Sequence, residues 1–368
     1  MMTGRRRRPD GKCGSLLHGI RRGVRLGTVV TMNLPPPVSP GPLHHDSADG
    51  GPDGRESHGP GPDASARRYA TGRQYELRRG DALAVVTELA AGLRMYSRGG
   101  TQLTESYGDA EISPGAAGIT LAPWANRVED GVWYLHGRKQ QLDITEVSRN
   151  NASHGLLRNA SYELVDESEF SVTLEAAVFP QHGYPFLLRH RVRYELAEDL
   201  GLVVRQLLIN DSQEAAPFVL GAHPYLRMGE LPSEELTVTV RARTRLLTDD
   251  RLIPRGTAPV DGDFDLRAGR LVADLDLDSA YTDLEFDAGI ARHTLTAPDG
   301  RSVSLWQDEN CGYAHVFVST QYPGRTKAVA IEPMTGPANA FNSGDGLRGL
   351  PPGERFAMAW GISASLEE

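Results

Sequence analysis

From about residue 71 onward, hydrophobic and polar side chains alternate with a period of two. Between 188 and 196, Leu188, Val192, Tyr194 and Leu196 fall on one face, with Arg189, Arg191, Arg193 and Glu195 opposite. Successive side chains of a strand point to opposite faces, so this pattern predicts a half-buried β-strand. SVTLEAAVF (171–179), LVVRQLLIN (202–210), LTVTVRAR (236–243) and YAHVFVST (313–320) read the same way. Turn signals lie between such runs at Glu198-Asp199, Asn210-Asp211 and Pro298-Asp299-Gly300. No stretch has the period of a long amphipathic helix. Many strands with few helices predict an all-β chain of antiparallel sheets packed face to face. No linker-like composition interrupts 71–368, which predicts a single domain.

Residues 1–70 depart from this pattern. They are rich in Gly, Pro, Ser, Asp and His, and PPPVSPGPLHHDSADGGPDG (35–54) has too little apolar surface to offset chain entropy. The segment is expected to be a disordered extension. Arg21-Arg22 resembles a twin-arginine leader, but LGTVVTMNL after it is short and enters a proline cluster without a small-residue cleavage site. Met32 offers an alternative start. His44 and His45 lack partners at metal-ligand spacing, and Cys13 and Cys311 can build neither a disulfide framework nor a CxxC site. With no apolar run of membrane-spanning length, a cytoplasmic setting is expected.

Charge narrows the partners. Residues 1–70 carry 11 Lys+Arg against 6 Asp+Glu, a net +5, whereas the remainder carries 28 against 42, a net −14. A globular part that acidic repels phosphate backbones, so nucleic acid is not an expected partner. Arg5 to Arg8 form a basic patch only within the extension.

Candidate chemistry begins with AVAIEPMTGPANAFNSG (328–344). Its apolar run 328–331 reads as a short strand that ends at Glu332, because Pro333 breaks the ladder and turns the chain. A carboxylate held at the end of an apolar strand, beside a cleft, suits a general base. FVLGAHPYLRMG runs an apolar strand into His223, which Pro224 terminates, and NNASHGLLR sets His154 before a glycine. LAPWANRVEDG carries Arg127, and DLDSAYTDL offers Asp276, Asp278 and Asp283. Two loop-placed histidines with a strand-end glutamate can form an acid/base set, and an arginine can clamp hydroxyls. His190, inside a strand pattern, and His182, in a turn, read as structural, and His136, in a predicted hairpin, is left unassigned with structure favoured. GDGLRG matches G-x-G-x-x-G, but Pro351-Pro352 follows where a helix should begin, so no pyrophosphate site is expected.

In this order and spacing, PWANRVEDG with YLHG downstream, SHGLLR, the Asn210-to-Tyr225 stretch ending in HPY, TDDRLIPRG, LDSAYTDL and EPMTGPANAF resemble the aldose 1-epimerase (galactose mutarotase-like) family over about 75–364. PWANRVEDG followed by TEVSRNNASHGLLR is similar to a bacterial subgroup of aldose epimerases, some of them associated with sulfosugar breakdown. The resemblance implies a galactose-mutarotase-like β-supersandwich with an open carbohydrate cleft, and a mutarotase that interconverts the α and β anomers of a free hexose. It implies Glu332 as general base, His223 as general acid, and Arg127, His154 and Asp278 as sugar-binding residues. The base takes the C1 hydroxyl proton while the acid protonates the ring oxygen. The open aldehyde then rotates and recloses, with base and acid expected on opposite sides of the anomeric centre. Neither metal nor cofactor is implied. The expected partner is a small-molecule sugar, with no membrane, and the chain is expected to be a monomer or homodimer. Trp306, Trp124 and Tyr225 are candidates for an aromatic sugar platform. Two alternatives stand beside this: a hexose-6-phosphate or sulfosugar mutarotase, whose cationic subsite would draw on Arg98, Arg158 or Arg227, and a non-catalytic carbohydrate-binding or sensing protein.

Overall fold

A computed structural model describes residues 69–367. The expected disordered extension lies outside these residues except for its last two, and with it Arg5 to Arg8, Cys13, Arg21-Arg22, Met32, His44 and His45. Among the described residues the one α-helix is the single turn Ala340–Ser343, and nearly all other regular structure is strand. No helix among them is long and apolar enough to cross a membrane.

The alternation between 188 and 196 becomes the strand Leu188–Ala197, in which every second side chain is buried. It pairs antiparallel with Gly201–Asn210 across the Glu198-Asp199 turn. These two sit within a nine-stranded antiparallel sheet that continues through Arg355–Ser365, Ser302–Asp308 and Ile290–Thr296. LTVTVRAR forms two strands rather than one. Thr237–Val240 pairs in the nine-stranded sheet, and Ala242–Thr248 pairs with Asp278–Leu284 in another. The unbroken alternation hid the change of sheet at Arg241.

Eight further strands build or border the candidate site: β1 (Thr120–Leu121), β2 (Arg127–Glu129), β3 (Asn151–Ser153), β4 (Gly221–Ala222), β5 (Tyr225–Leu226), β6 (Asp278–Leu284), β7 (Tyr313–Ser319) and β8 (Ala328–Met334). Strands β6, β7, β8, β4 and β1 are successive neighbours in an eight-stranded sheet, and β5 also pairs with β8. Strands β2 and β3 form a separate two-stranded ribbon. One core cluster joins Val204, Leu305 and Trp360 of the nine-stranded sheet to Val316, Ile331 and Tyr281 of the eight-stranded one. The sheets are therefore packed face to face, and burial of their apolar faces supplies the main drive to fold.

Strand β8 does not stop at Glu332. It runs through Pro333 to Met334, with Pro333 opposite Ala314 of β7. On its other edge, the Ile331 N–H donates to Pro224 O and the Thr335 N–H to Leu220 O. The N–H that proline lacks would point to this same edge, where the facing chain is interrupted between β4 and β5. A proline is tolerated in a paired strand where the partner ladder is broken.

Two histidines of the nine-stranded sheet belong to the framework. His190 is fully buried, with Nδ1 2.7 Å from the Tyr162 hydroxyl and Nε2 3.1 Å from Gln206 Oε1. His293 is equally buried, with Nε2 3.3 Å from Gln307 Oε1. Burial pushes each imidazole down to about 4. His182 and His136 are exposed, beside Asp143 and Glu214 respectively.

Candidate active site

A cavity of about 660 Å³ opens over the eight-stranded sheet and gathers Arg127, His154, His223, Asp278 and Glu332 along its wall. These residues come from regions of sequence up to two hundred positions apart. Its volume is in the range of small-molecule sites.

Several local devices aim these side chains. In β8, Val329 and Ile331 point into the core cluster, so the alternate parity carries Glu332 to the other face. His223 lies in the break between β4 and β5, its N–H donating to Ile119 O and its carbonyl accepting from Gly118 N–H. The Tyr225 ring stacks behind it at 5.2 Å and 26°. His154 follows β3 in a left-handed conformation with φ 64°, and Gly155 continues at φ 77°. A Cβ on Gly155 would stand 2.0 Å from Ala122 O, so only glycine lets the chain pass there. Arg127 opens β2 opposite Ser153 of β3. The ribbon is tied on two sides. Asn339 accepts from the Glu129 N–H through Oδ1 and donates its own N–H to Arg127 O. Arg251 and Arg255 form ion pairs with Glu129, and Asn151 Nδ2 donates to Arg251 O. The TDDRLIPRG and EPMTGPANAF segments thus include the straps that fix the ribbon.

Glu332 and His223 stand side by side. His223 Nε2 is 3.3 Å from Glu332 Oε1, and both side chains are almost wholly buried. That contact leaves no space for a carbon atom between them. The expectation that these two residues stand on opposite sides of an anomeric centre is therefore corrected: both side chains reach the cavity along one edge. Their far atoms, Glu332 Oε2 and His223 Nδ1, are buried without a hydrogen-bond partner among the described residues, as is His154 Nδ1. Unpartnered buried polar atoms each cost about 1–3 kcal/mol, which a fold optimised for stability alone would avoid.

Around this pair the charges alternate. Arg127 donates from Nε and Nη2 to the two oxygens of Glu146, at 2.9 and 3.2 Å, and approaches Asp278 Oδ2 at 3.5 Å. His315 Nε2 donates to Asp278 Oδ1 at 2.7 Å. Burial alone would raise the Asp278 carboxyl, but His315 and Arg127 hold it far below the usual carboxylate range. Burial also opposes ionisation of Glu146, yet Arg127 keeps it below its ordinary value. The imidazoles diverge. Burial, with the cations of His223, Arg158 and Arg127 nearby, pushes His154 well down. Burial also lowers His223, although Glu332 pulls the other way. His315 is raised, because Glu332 and Asp278 outweigh its burial.

Asp276 sits at the cavity rim, and Asp283 points away to the Thr244 hydroxyl, so Asp278 is the aspartate inside. Of the three arginines considered for a cationic subsite, only Arg158 lines this cavity. Arg227 is buried between Glu105 and Glu230, and Arg98 pairs with Asp81 beside a separate pocket. None of Trp306, Trp124 and Tyr225 lines the cavity, and the aromatic side chain on its wall is Phe317. Trp124 instead packs against Tyr184 and Phe341. His315 and Glu146 were missed. For His315 a signal existed: in YAHVFVST, Ala314, Val316 and Val318 share the core-facing parity, which leaves His315, Phe317 and Ser319 on the other face.

Comparison with known proteins bears on the family and the fold. The sequence model described as aldose 1-epimerase matches residues 75–362. An uncharacterized protein of Escherichia coli K12, YihR, is 30% identical over 296 residues, covering 80% of this chain and 94% of its own. Among solved structures, a galactose mutarotase-like protein from Clostridium acetobutylicum superposes with a TM-score of 0.70 at 17% identity, over 79% of this chain and 94% of that one. The GalM/aldose epimerase homologue of C. elegans gives 0.70 at 18% identity, over 80% and 98%. A galactose 1-epimerase from Lactobacillus acidophilus gives 0.67 at 20% identity, over 81% and 96%. At these identities the structural likeness is one of fold.

Proposed function

The chain belongs to the aldose 1-epimerase family and is a sugar mutarotase; from that premise we propose that it interconverts the α and β anomers of a free hexose, with Glu332 as base and His223 as acid. The observation that carries this reading is their 3.3 Å contact at the wall of the cavity. The C1 hydroxyl and the ring oxygen share one carbon, so a base and an acid standing side by side reach both. Glu332 removes the hydroxyl proton as His223 protonates the ring oxygen, and the ring opens. Rotation about C1–C2 exchanges the faces of the aldehyde. The ring oxygen then returns its proton to His223, Glu332 protonates the new C1 oxygen, and both residues are restored. One edge of the site thus serves both anomers. Arg127 donates to sugar oxygens, Asp278 accepts from hydroxyls, and the imidazole of His154 supplies a further contact. A sugar-binding protein without catalysis has no need of this buried contact.

The test is α/β exchange of glucose and galactose followed by NMR. Glu332→Gln is expected to slow the catalysed exchange by on the order of 10³-fold. Full retention of rate would overturn the reading.

A second reading, a phosphorylated or sulfonated sugar, is favoured by one observation. Arg158 lines the cavity and, among the described residues, donates only to Ser153, with Nη1 3.0 Å from Oγ and 3.4 Å from the carbonyl. It makes no ion pair within the cavity wall, whereas Arg127 and Arg149 there are paired with Glu146. Exchange of glucose 6-phosphate and sulfoquinovose beside glucose decides. Arg158→Gln should raise KM for the anionic sugars about tenfold and leave glucose unaffected if this reading holds.

A further inference from the structure

The mechanism above uses one carboxylate and one imidazole, yet the cavity wall holds a third imidazole pressed against the acidic side of the site. His315 stands on the middle strand of three. Across β7 and β8 it is directly opposite Glu332, and across β6 and β7 it is opposite Ala280, two residues from Asp278. Side chains directly opposite in an antiparallel pair have Cβ atoms about 4.5–5.5 Å apart. Its Nε2 reaches Asp278 Oδ1 at 2.7 Å, and it is 6% exposed. Sheet register thus places one imidazole between two carboxylates that the reaction needs ionised.

We infer that His315 is the positioning residue of this site: an imidazole set between two carboxylates that anchors Asp278 and tunes the protonation window within which Glu332 and His223 exchange protons. This rests on the reading of Glu332 as base and His223 as acid. His315 itself is not required to touch the sugar.

The charged and titratable groups that face His315 pull in both directions. From β8 comes Glu332 and from β6 Asp278, both attractive to a cation. From the ribbon comes Arg127, which opposes it but is neutralised by Glu146 and Asp278. From the break between β4 and β5 comes His223, and from the end of β3 His154, each of which feels His315 as a repelling cation. Two carboxylates against one paired guanidinium favour the charged imidazole, and burial strengthens each attraction. The consequence for the working pair is specific. The imidazole faces both members of that pair, directly opposite Glu332 across the strands and repelling a proton on His223, so loss of its charge should be felt at both.

His315→Gln isolates this charge, because an amide still donates to Asp278 but carries none. A cation within 4–6 Å shifts a neighbour by about 1–3 units, so both limbs of the kcat/KM profile against pH should move upward together by about one unit. The maximum should fall roughly tenfold. A purely structural contact would raise KM and leave both limbs in place, and that result would overturn the inference. Wild-type protein gives a measurement that does not depend on the variant folding. In ¹⁵N histidine side-chain spectra, one buried imidazole should remain doubly protonated beyond the ordinary value of about 6.5. Its absence would also overturn the inference. Glu332→Gln, measured in parallel, keeps the two readings apart. If that variant retains full exchange, the acid/base reading fails; if it is inactive while His315→Gln keeps the wild-type profile, only the role of His315 fails.

Discussion

Each of the two large sheets buries imidazoles, and the partners differ. In the nine-stranded sheet His190 and His293 face the side-chain amides of Gln206 and Gln307. In the eight-stranded sheet His223 faces Glu332 and His315 faces Asp278. An amide asks nothing of the imidazole's charge, so desolvation wins and both framework histidines are held neutral. A carboxylate competes with desolvation. The outcome is then balanced, lowered at His223 and raised at His315. What separates a structural histidine from a chemical one here is not burial, which all four share, but whether the partner can exchange a proton.

Replacing a carboxylate by its amide turns the second environment into the first. The largest effect is expected at Glu332→Gln, which gives His223 the kind of partner His190 has. The fold should survive with an unchanged far-ultraviolet CD spectrum, while catalysed anomer exchange falls on the order of 10³-fold. Asp278→Asn should be milder. Arg127 and His315 each lose an ionised partner, a hydrogen bond to a charged group worth about 1.5–3 kcal/mol, so kcat/KM should drop about 10- to 100-fold. Most of the loss should be in KM, since Asp278 orients rather than transfers protons. An Asp278→Asn enzyme with wild-type KM would show that the carboxylate does not face the sugar.

Sheet class was legible because period-two alternation is a local property of the chain. The side chains of Leu188, Val192, Tyr194 and Leu196 fix one buried face whatever the strand pairs with. Pairing and register are not local. Nothing in LTVTVRAR shows that its strand passes from one sheet to the other at Arg241. The site divides along the same line. Glu332, His223, His154 and Arg127 stood out as candidates because each lies in a motif with its own turn chemistry and spacing, whereas Asp278 was singled out from Asp276 and Asp283 only by the family resemblance. His315 and Glu146 carry no such motif. His315 gains its meaning from standing opposite Glu332, and Glu146 from lying 2.9 Å from Arg127, relations that exist only once strands and loops have docked. Pro333 misled because proline usually ends a ladder, and the broken partner that accommodates it is more than a hundred residues away.

The comparison has a thermodynamic side, with smaller effects and opposite signs. His190 and His293 have folded values near 4, below the ordinary 6.5, so between those limits the unfolded chain binds more protons than the native one. Their contribution is therefore complete above pH 6.5 and is lost as the pH falls towards 4. His315, raised above 6.5, behaves in reverse. Its contribution is complete below that value and is lost as the pH rises through its folded one. Denaturant unfolding of the wild type across this range should show stability rising with pH between about 4 and 6.5. His190→Gln removes one of the two framework protons, so the slope should drop by up to about 1.4 kcal/mol per pH unit. The same variant should lose about 1–3 kcal/mol near neutrality, because the Tyr162 hydroxyl and Gln206 lose a partner, while anomer exchange is untouched. An unchanged slope would mean that His190 titrates alike in both states, and an amide-partnered imidazole would then be no more committed to neutrality than one beside a carboxylate.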